Sequence, residues 1–257
     1  MAEITNYKYR VEPQDVDFTL RASAPSVVNY ILNTAGLDAH NKGFGVEVLQ
    51  RQSLSWVLSR LSVEIDSLPA QYDEFEVATW INEFNRLSST RNFTLHDRSG
   101  MQFARAVSQW CMINIESRTV TDMSSLEDTY RAAMVDCPSP CGKPAKIGAI
   151  DPQNHITRPV VYSDLDFNRH VNTLRYIEMI FNALPIERIE RNEGMRIDIN
   201  FIAEGRWGQT LDIGHATEGN RTNFEIKADD GRTLCRARVE WRYPRPAADD
   251  KEFWNGC

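Results

Sequence analysis

Three polar side chains of the kind that move protons and polarise carbonyls, Asp166, Asn168 and His170, stand at alternate positions in YSDLDFNRHVNTLRY, residues 162–176. Directly after them Val171, Leu174, Ile177, Ile180, Phe181 and Leu184 recur every three or four residues, the period of a helix with one buried stripe. The spacing predicts a helix starting near Arg169 with the trio at its entrance. A helix entrance offers unpaired N–H groups and the positive end of a dipole, which suits an oxyanion or a polarised carbonyl. Chemistry on a carbonyl is the first expectation. Each residue also has a purely structural use: Asp and Asn commonly cap a first turn, and a single His at a helix start often serves packing.

The elements that position the trio come from a chain that repeats itself. Phe93, Leu95, Gly100, Arg105, Ala106 and Trp110 recur as Phe224, Ile226, Gly231, Arg236, Ala237 and Trp241, all at one offset of 131 residues. Each copy reads as a hairpin whose turn, DRSG or ADDG, carries a Gly able to take positive φ. Upstream, YKYRVE reads as a strand followed by Asp17-Phe18 and a helix from about Pro25; TRPVVY, Asp166-Phe167 and the second helix repeat that order. One helix with several antiparallel strands, twice over, is an α+β layout in which a helix covers one face of a sheet. The Pro- and Gly-rich stretch DCPSPCGKPAKIGAIDPQN, residues 136–154, reads as the linker between copies. Its Cys137 and Cys141 read as part of a plain proline-rich loop.

Composition narrows the classes of function. The 257 residues carry 29 Lys plus Arg against 36 Asp plus Glu, a net charge of −7, which argues against nucleic acid as a bulk partner. No apolar run approaches the length of a membrane helix, and MAEITNYKY lacks the basic start and apolar centre of a signal peptide. A cytoplasmic protein without membrane insertion is expected. Five cysteines without paired spacing indicate neither a disulfide framework nor a zinc site.

With the repeat in place, the residues resemble the acyl-(acyl carrier protein) thioesterases, a family of two tandem hotdog domains. The family pattern YSDxDxNxHVNNxxYxxW stands here as YSDLDFNRHVNTLRYIEM, with Thr173 and Met179 at the two departures. The resemblance continues through LSWVLSRLSVEIDSLPAQYDEFEVATWI and SQWCMIN and covers most of residues 7–243. It implies an N-terminal hotdog domain over 1–140 that binds the acyl chain, a linker over 141–154, a catalytic hotdog domain over 155–245 and a tail over 246–257. In each domain a long helix packs on a curved antiparallel sheet. The activity implied is hydrolysis of fatty acyl-(acyl carrier protein) to free fatty acid, ending chain elongation, with no cofactor or metal.

The resemblance also implies roles. Glu204, in NFIAEGRWGQ, falls where the family carries a carboxylate opposite the helix, and Gly205 stands where plant members often have Cys, so a cysteine nucleophile is not expected. Glu204 or Asp166 would be the general base, Asn168 would orient the water or the carbonyl, His170 would orient that set, and N–H groups at the helix start would receive the oxyanion. Val28, Ile31, Leu32 and Trp56 are the expected walls of an acyl tunnel. Acyl carrier protein, the expected partner, is acidic, so Arg169, Arg175, Arg188, Arg191 and Arg206 are candidate docking cations. In the first copy SAPSVVNY occupies the place of FNRHVNTLRY, with Ala24 near the position of His170, so one active site per chain is expected. Competing readings are an acyl-coenzyme A thioesterase, a hotdog dehydratase and a non-catalytic acyl-binding module. Homodimerisation stays open, since the tandem arrangement already supplies a domain pair.

Overall fold

The computed structural model describes residues 2–242, so the tail expected over 246–257 lies outside the described residues. In chain order the elements are β1 (Thr5–Arg10), α1 (Ala24–Asn41), α2 (Val46–Gln50), β2 (Leu54–Ile65), β3 (Glu74–Phe84), β4 (Ser89–Asp97), β5 (Gln102–Asn114) and α3 (Glu127–Ala133). After the linker come β6 (Asn154–Pro159), α4 (Thr173–Asn182), α5 (Ile186–Glu190), β7 (Met195–Phe201), β8 (Thr210–Glu218), β9 (Arg221–Ala228) and β10 (Thr233–Trp241). Both expected hairpins form, β4 with β5 and β9 with β10, and their turns place Gly100 and Gly231 at φ of 85° and 83°. An L side chain is strained there.

The ten strands form one sheet in the order β1-β3-β4-β5-β2-β7-β10-β9-β8-β6, antiparallel at every named pairing. The order reads outward identically from the centre, because β1 to β5 correspond in sequence to β6 to β10. The seam is β2 with β7, from Arg60↔Asn200 to Ile65↔Met195. Helix α1 is capped by Ser23, which accepts the Ser26 N–H at 3.2 Å, and it buries Val27, Val28, Ile31 and Ala35. Helix α4 buries Tyr176, Ile177, Met179 and Ile180, and both helices join a single apolar cluster with strand residues of both halves. Full burial of each such side chain contributes roughly 1.5–3 kcal/mol, so the two helical stripes fix which face of the sheet is covered. A smaller cluster around Phe44, Leu49, Met112 and Tyr130 lies with α2 and α3. Among the described residues, no helix is long and apolar enough to cross a membrane.

Two expectations are corrected. Helix α4 starts at Thr173, four residues after Arg169, because the N–H groups of Asn168 and His170 are taken by the Asp166 carboxylate and Asn172 caps the helix by accepting the Leu174 N–H at 2.9 Å. Strand β6 ends at Pro159, and Tyr162–Asp164 form a 3₁₀ turn in place of further strand. The linker crosses the sheet at β7: Asp198 and Asn200 accept the N–H groups of Ala145 and Ile147 at 3.0 and 2.8 Å, and the Asn200 amide donates to the Ala145 carbonyl at 2.8 Å.

A charge network spans the seam. Glu64 of β2 pairs with Arg105, Arg196 and Arg242 at 2.6–2.8 Å, while Asp66 pairs with Arg105 and Arg242 at 2.8 Å. Burial works against the Glu64 charge, but hydrogen bonds and charge from Arg242 and Arg105 outweigh it and hold the carboxyl below its ordinary value of 4.5. A depressed carboxyl contributes stability that is present above its unfolded value and is lost as pH falls through the folded one. Glu64→Gln is therefore expected to lower stability by about 2–3 kcal/mol at neutral pH. In urea melts the gap from wild type should narrow below about pH 4.5; a gap that stays constant with pH would refute the linkage.

Candidate active site

Residues Leu165 to Val171 form a tight loop that enters α4. The Asp166 N–H donates to the His170 carbonyl at 2.8 Å, Leu165 and Val171 form an antiparallel bridge, and Arg169 turns the chain with φ of 62°. Inside the loop, Asp166 Oδ1 accepts the N–H groups of Asn168 and His170 at 2.8 and 3.0 Å. Asp166 thus sets the direction of the two residues that follow it. The loop docks on residues 204–206 through Val171 N–H to Gly205 carbonyl at 2.9 Å and a bridge between His170 and Arg206. Tyr176 of α4 completes the joint, its hydroxyl accepting the Gly205 N–H at 2.9 Å.

This docking brings His170 beside Glu204, with Nε2 of the ring 3.4 Å from Oε2 of the carboxylate. The other carboxylate oxygen, Oε1, is paired with Arg118, which stands in the turn after β5. Sequence reasoning did not reach Arg118. It lies in SRTVTD without a motif around it, and its partner is in the other half of the chain. The Asn168 side-chain amide has no hydrogen-bond partner among the described residues, so its donors and acceptor face open space.

That open space is a cavity of about 370 Å³. Asp166, Phe167 and Asn168 line it from the second half; Leu32, Ala35, Gly36 and Ala39 of α1, with Trp56 and Trp110, line it from the first. The volume lies at the small end of ordinary ligand sites. Leu32 and Trp56, two of the expected walls, line this cavity, and the Trp56 ring is fixed by its Nε1 donating to the Phe44 carbonyl at 2.9 Å. Val28 and Ile31 do not: both are fully buried in the main core. The reason lies along the helix. Small residues at Ala35, Gly36 and Ala39 leave room under the C-terminal part of α1, whereas Val28 and Ile31 sit toward its N-terminus and pack on the sheet. The oxyanion site expected at the helix start is corrected likewise, since α4 begins beyond His170 and is capped by its own Asn172.

The first half contains the same loop, with its aspartate and phenylalanine but without the other polar side chains. Asp17 N–H donates to the Arg21 carbonyl at 3.0 Å, Asp17 Oδ1 accepts the Thr19 N–H at 2.8 Å, Leu20 has φ of 60°, and Ala22 N–H reaches the Pro69 carbonyl at 2.8 Å. By these bonds Asp17, Thr19 and Arg21 are the counterparts of Asp166, Asn168 and His170, and Leu68 is the counterpart of Glu204. The residue in the place of His170 is thus Arg21, and not Ala24, which already belongs to α1. A second cleft of about 600 Å³ completes the relation: Asp17, Phe18, Phe181, Leu184 and Trp241 line it where Asp166, Phe167, Leu32, Ala35 and Trp110 line the first.

Of the five candidate docking arginines, three are engaged. Arg175 pairs with Glu178 at 2.5 Å, and Arg188 and Arg191 pair with Glu193 at 3.1 and 3.8 Å. Arg169 and Arg206 are exposed beside the trio and make no side-chain bond among the described residues.

A ten-stranded sheet with one long helix per half and a mirrored strand order defines a tandem double-hotdog protein. Residues 2–132 match the model of the acyl-ACP thioesterase N-terminal domain and residues 149–243 that of the C-terminal domain, so the chain belongs to the acyl-ACP thioesterase family. An acyl-ACP thioesterase from Bacteroides thetaiotaomicron superposes with a TM-score of 0.83 and 34% identity over 93% of this chain and 98% of that one. The 12:0-ACP thioesterase of Umbellularia californica shares the fold, with a TM-score of 0.84 at 20% identity over 93% and 97% of the two chains. A chloroplastic acyl-[acyl-carrier-protein] hydrolase of Cuphea viscosissima is 22% identical over 93% of this chain; the chain spans 62% of that protein's length.

The two kinds of α1 residue are expected to separate on substitution. Ile31→Ala should cost about 3 kcal/mol in a urea melt, as a large-to-small change in a closed core. Leu32→Phe should keep the fold and shrink the cavity, seen as weaker binding of long acyl ligands relative to short ones; equal losses across chain length would contradict the placement of Leu32. At Gly205 a Cβ would meet Tyr176 Oη at 2.8 Å and Val171 Cγ2 at 2.9 Å. Gly205→Cys should therefore destabilise by about 1–3 kcal/mol, read as a lower Tm.

Proposed function

We propose that the chain hydrolyses the thioester of fatty acyl-(acyl carrier protein), releasing free fatty acid and ending chain elongation. The observation that carries this reading is the convergence of Asp166 and Asn168 on one end of an apolar-walled cavity, with the His170–Glu204 pair beside them. Family membership supports it, and so does the likeness to the Bacteroides acyl-ACP thioesterase and the Cuphea acyl-[acyl-carrier-protein] hydrolase. The division into an acyl-binding domain over 1–140 and a catalytic domain over 155–245, joined by 141–154, belongs to the same proposal, as does a cytoplasmic setting.

In the proposed reaction Glu204 is the base. Asp166 is already committed through Oδ1 to two backbone N–H groups, whereas Glu204 Oε2 faces His170 and is open to water. Glu204 takes a proton from water as the water oxygen adds to the thioester carbon. The Asn168 amide N–H donates to the carbonyl oxygen as it gains charge, a contact typically worth about 3 kcal/mol. The intermediate collapses, the C–S bond breaks, and the proton held by the His170–Glu204 pair passes to the departing sulfur, leaving acid and thiol. Burial of the chain at about 0.8 kcal/mol per CH₂ supplies binding. Arg169 and Arg206, exposed in the two loops that carry His170 and Glu204, suit an acidic carrier.

The test is thiol release from a series of acyl carrier protein thioesters of increasing chain length. Wild type should show a length optimum. Glu204→Gln should lower kcat by about 10²–10⁴-fold and Asn168→Ala by about 10²–10³-fold, with folding intact. Unchanged turnover in both variants would overturn the hydrolase reading, and equal turnover of coenzyme A thioesters would overturn the choice of carrier.

A further inference from the structure

The pairing of Glu204 with Arg118 places a side chain of the first half in the polar cluster of the second. Its setting is specific. Arg118 ends a turn in which Asn114 Oδ1 accepts the N–H groups of Glu116 and Ser117 at 3.0 and 2.9 Å, while the Arg118 N–H donates to the Asn114 carbonyl at 2.9 Å. The turn is tied to the turn that leads into β2 by Ile115 N–H to Ser53 carbonyl at 2.7 Å and by Ser53 Oγ to Glu116 at 2.9 Å. Ser117 and Thr119 join their hydroxyls at 2.8 Å across Arg118, and Val120 bridges back to Ile113. Within this frame Arg118 holds φ of 57°, a left-handed conformation that L side chains rarely adopt and that persists only where the surroundings enforce it. The turn is bound on both sides of Arg118, and the side chain it presents ends on Glu204.

The two oxygens of Glu204 have different neighbours. Oε1 meets the Arg118 guanidinium and Oε2 faces Nε2 of His170 at 3.4 Å. A carboxylate on a flexible Glu side chain can rotate and present either oxygen. A guanidinium fixed on one oxygen removes that freedom and leaves the other aimed at the histidine.

We infer that Arg118 is a positioning residue of the active site, holding the Glu204 carboxylate by Oε1 so that Oε2 addresses His170 and the water. The inference rests on the reading of Glu204 as base and extends it: the first half contributes to the chemistry as well as to acyl binding. It also explains why the hydrolytic cluster needs both halves, since the loop of 165–171 and residue 204 come from one and the clamp from the other.

Arg118 is about one-third exposed in a surface turn, so Arg118→Met is expected to fold with a nearly unchanged Tm. With carrier-bound substrate its kcat should fall about 10- to 100-fold while KM stays near the wild-type value. Arg118→Lys should recover part of the loss, since it restores charge without the fork. Guanidinium chloride at non-denaturing concentration, against sodium chloride at equal ionic strength, should raise kcat of Arg118→Ala and leave Glu204→Gln unaffected. Wild-type kcat in Arg118→Met beside an inactive Glu204→Gln would overturn the clamp and spare the base. A raised KM with unchanged kcat would instead make Arg118 a docking cation and overturn the clamp as well. Full turnover in Glu204→Gln would overturn both assignments.

Discussion

The antiparallel seam between β2 and β7 is the constraint from which the rest of the arrangement follows. It joins two equivalent edges, so the halves are related by an approximate twofold at the Ser62↔Asp198 pair, and each half must face its helix toward the other's entry loop. Main-chain pairing alone would leave the register open to slippage, because side chains repeat every second residue. The Glu64–Arg196–Asp198 and Asp66–Arg242 contacts cross the seam and distinguish this register from its neighbours. With the seam in place, the loop of 165–171 lies against the C-terminal part of α1 and the turn at Arg118 reaches Glu204. Neither contact exists within one half.

Twofold symmetry produces two loops of one frame, and the sequence has kept the frame of both while keeping the asparagine, histidine and glutamate in only one. The first-half loop retains the aspartate, its carboxylate bond to the residue two places on, and the left-handed residue before the helix. Thr19, Arg21 and Leu68 then stand for Asn168, His170 and Glu204. Leu68 removes the carboxylate, and the Arg21 guanidinium donates to the Leu68 carbonyl at 3.1 Å, occupying the space that a histidine–carboxylate pair would need. The aspartate survives in both copies because its work is conformational: it satisfies backbone donors that would otherwise be orphaned in a loop that is neither helix nor strand.

This division explains what was legible in the sequence. The hairpins around Gly100 and Gly231, the two helical stripes and the repeat were readable because alternation, helical period and positive-φ glycines are local signals. The trio was readable through its motif, and of its members His170 stands beside Glu204 while Asp166 and Asn168 line the cavity. The start of α4 was misplaced because side-chain bonding by Asp166 competes with helix formation over the same residues, and a pattern of apolar spacing does not register that competition. The alignment of His170 with Ala24 failed from the same cause: with α4 begun too early, His170 fell opposite Ala24, the first residue of α1, three residues beyond its counterpart Arg21. Val28 and Ile31 share the apolar period of α1 with Leu32 and Ala35 but are closed over by the main core, which periodicity cannot distinguish. Arg118 left no local signal at all, its meaning being set by a fold-level contact between distant segments.

The far wall of the cavity shows how tightly its extent is bound to the fold. Arg91 lines it, almost wholly buried, and donates to Asp38 at 2.5 Å and to Thr79 at 3.3 Å. Asp38 in turn accepts from Lys42 at 2.9 Å and from the Tyr7 hydroxyl at 3.2 Å. Burial opposes the Asp38 charge, yet the Arg91 and Lys42 contacts hold its carboxyl below the ordinary range. Removing one member of such a buried pair leaves its partner uncompensated, at a cost of roughly 3–5 kcal/mol. The wall therefore cannot be moved one residue at a time, whereas Leu32, at the open face of α1, can change size with little effect on the network. Depth on the Arg91 side is set by a charge network tied to β1, α1, β3 and β4, and width near the polar loop by single side chains.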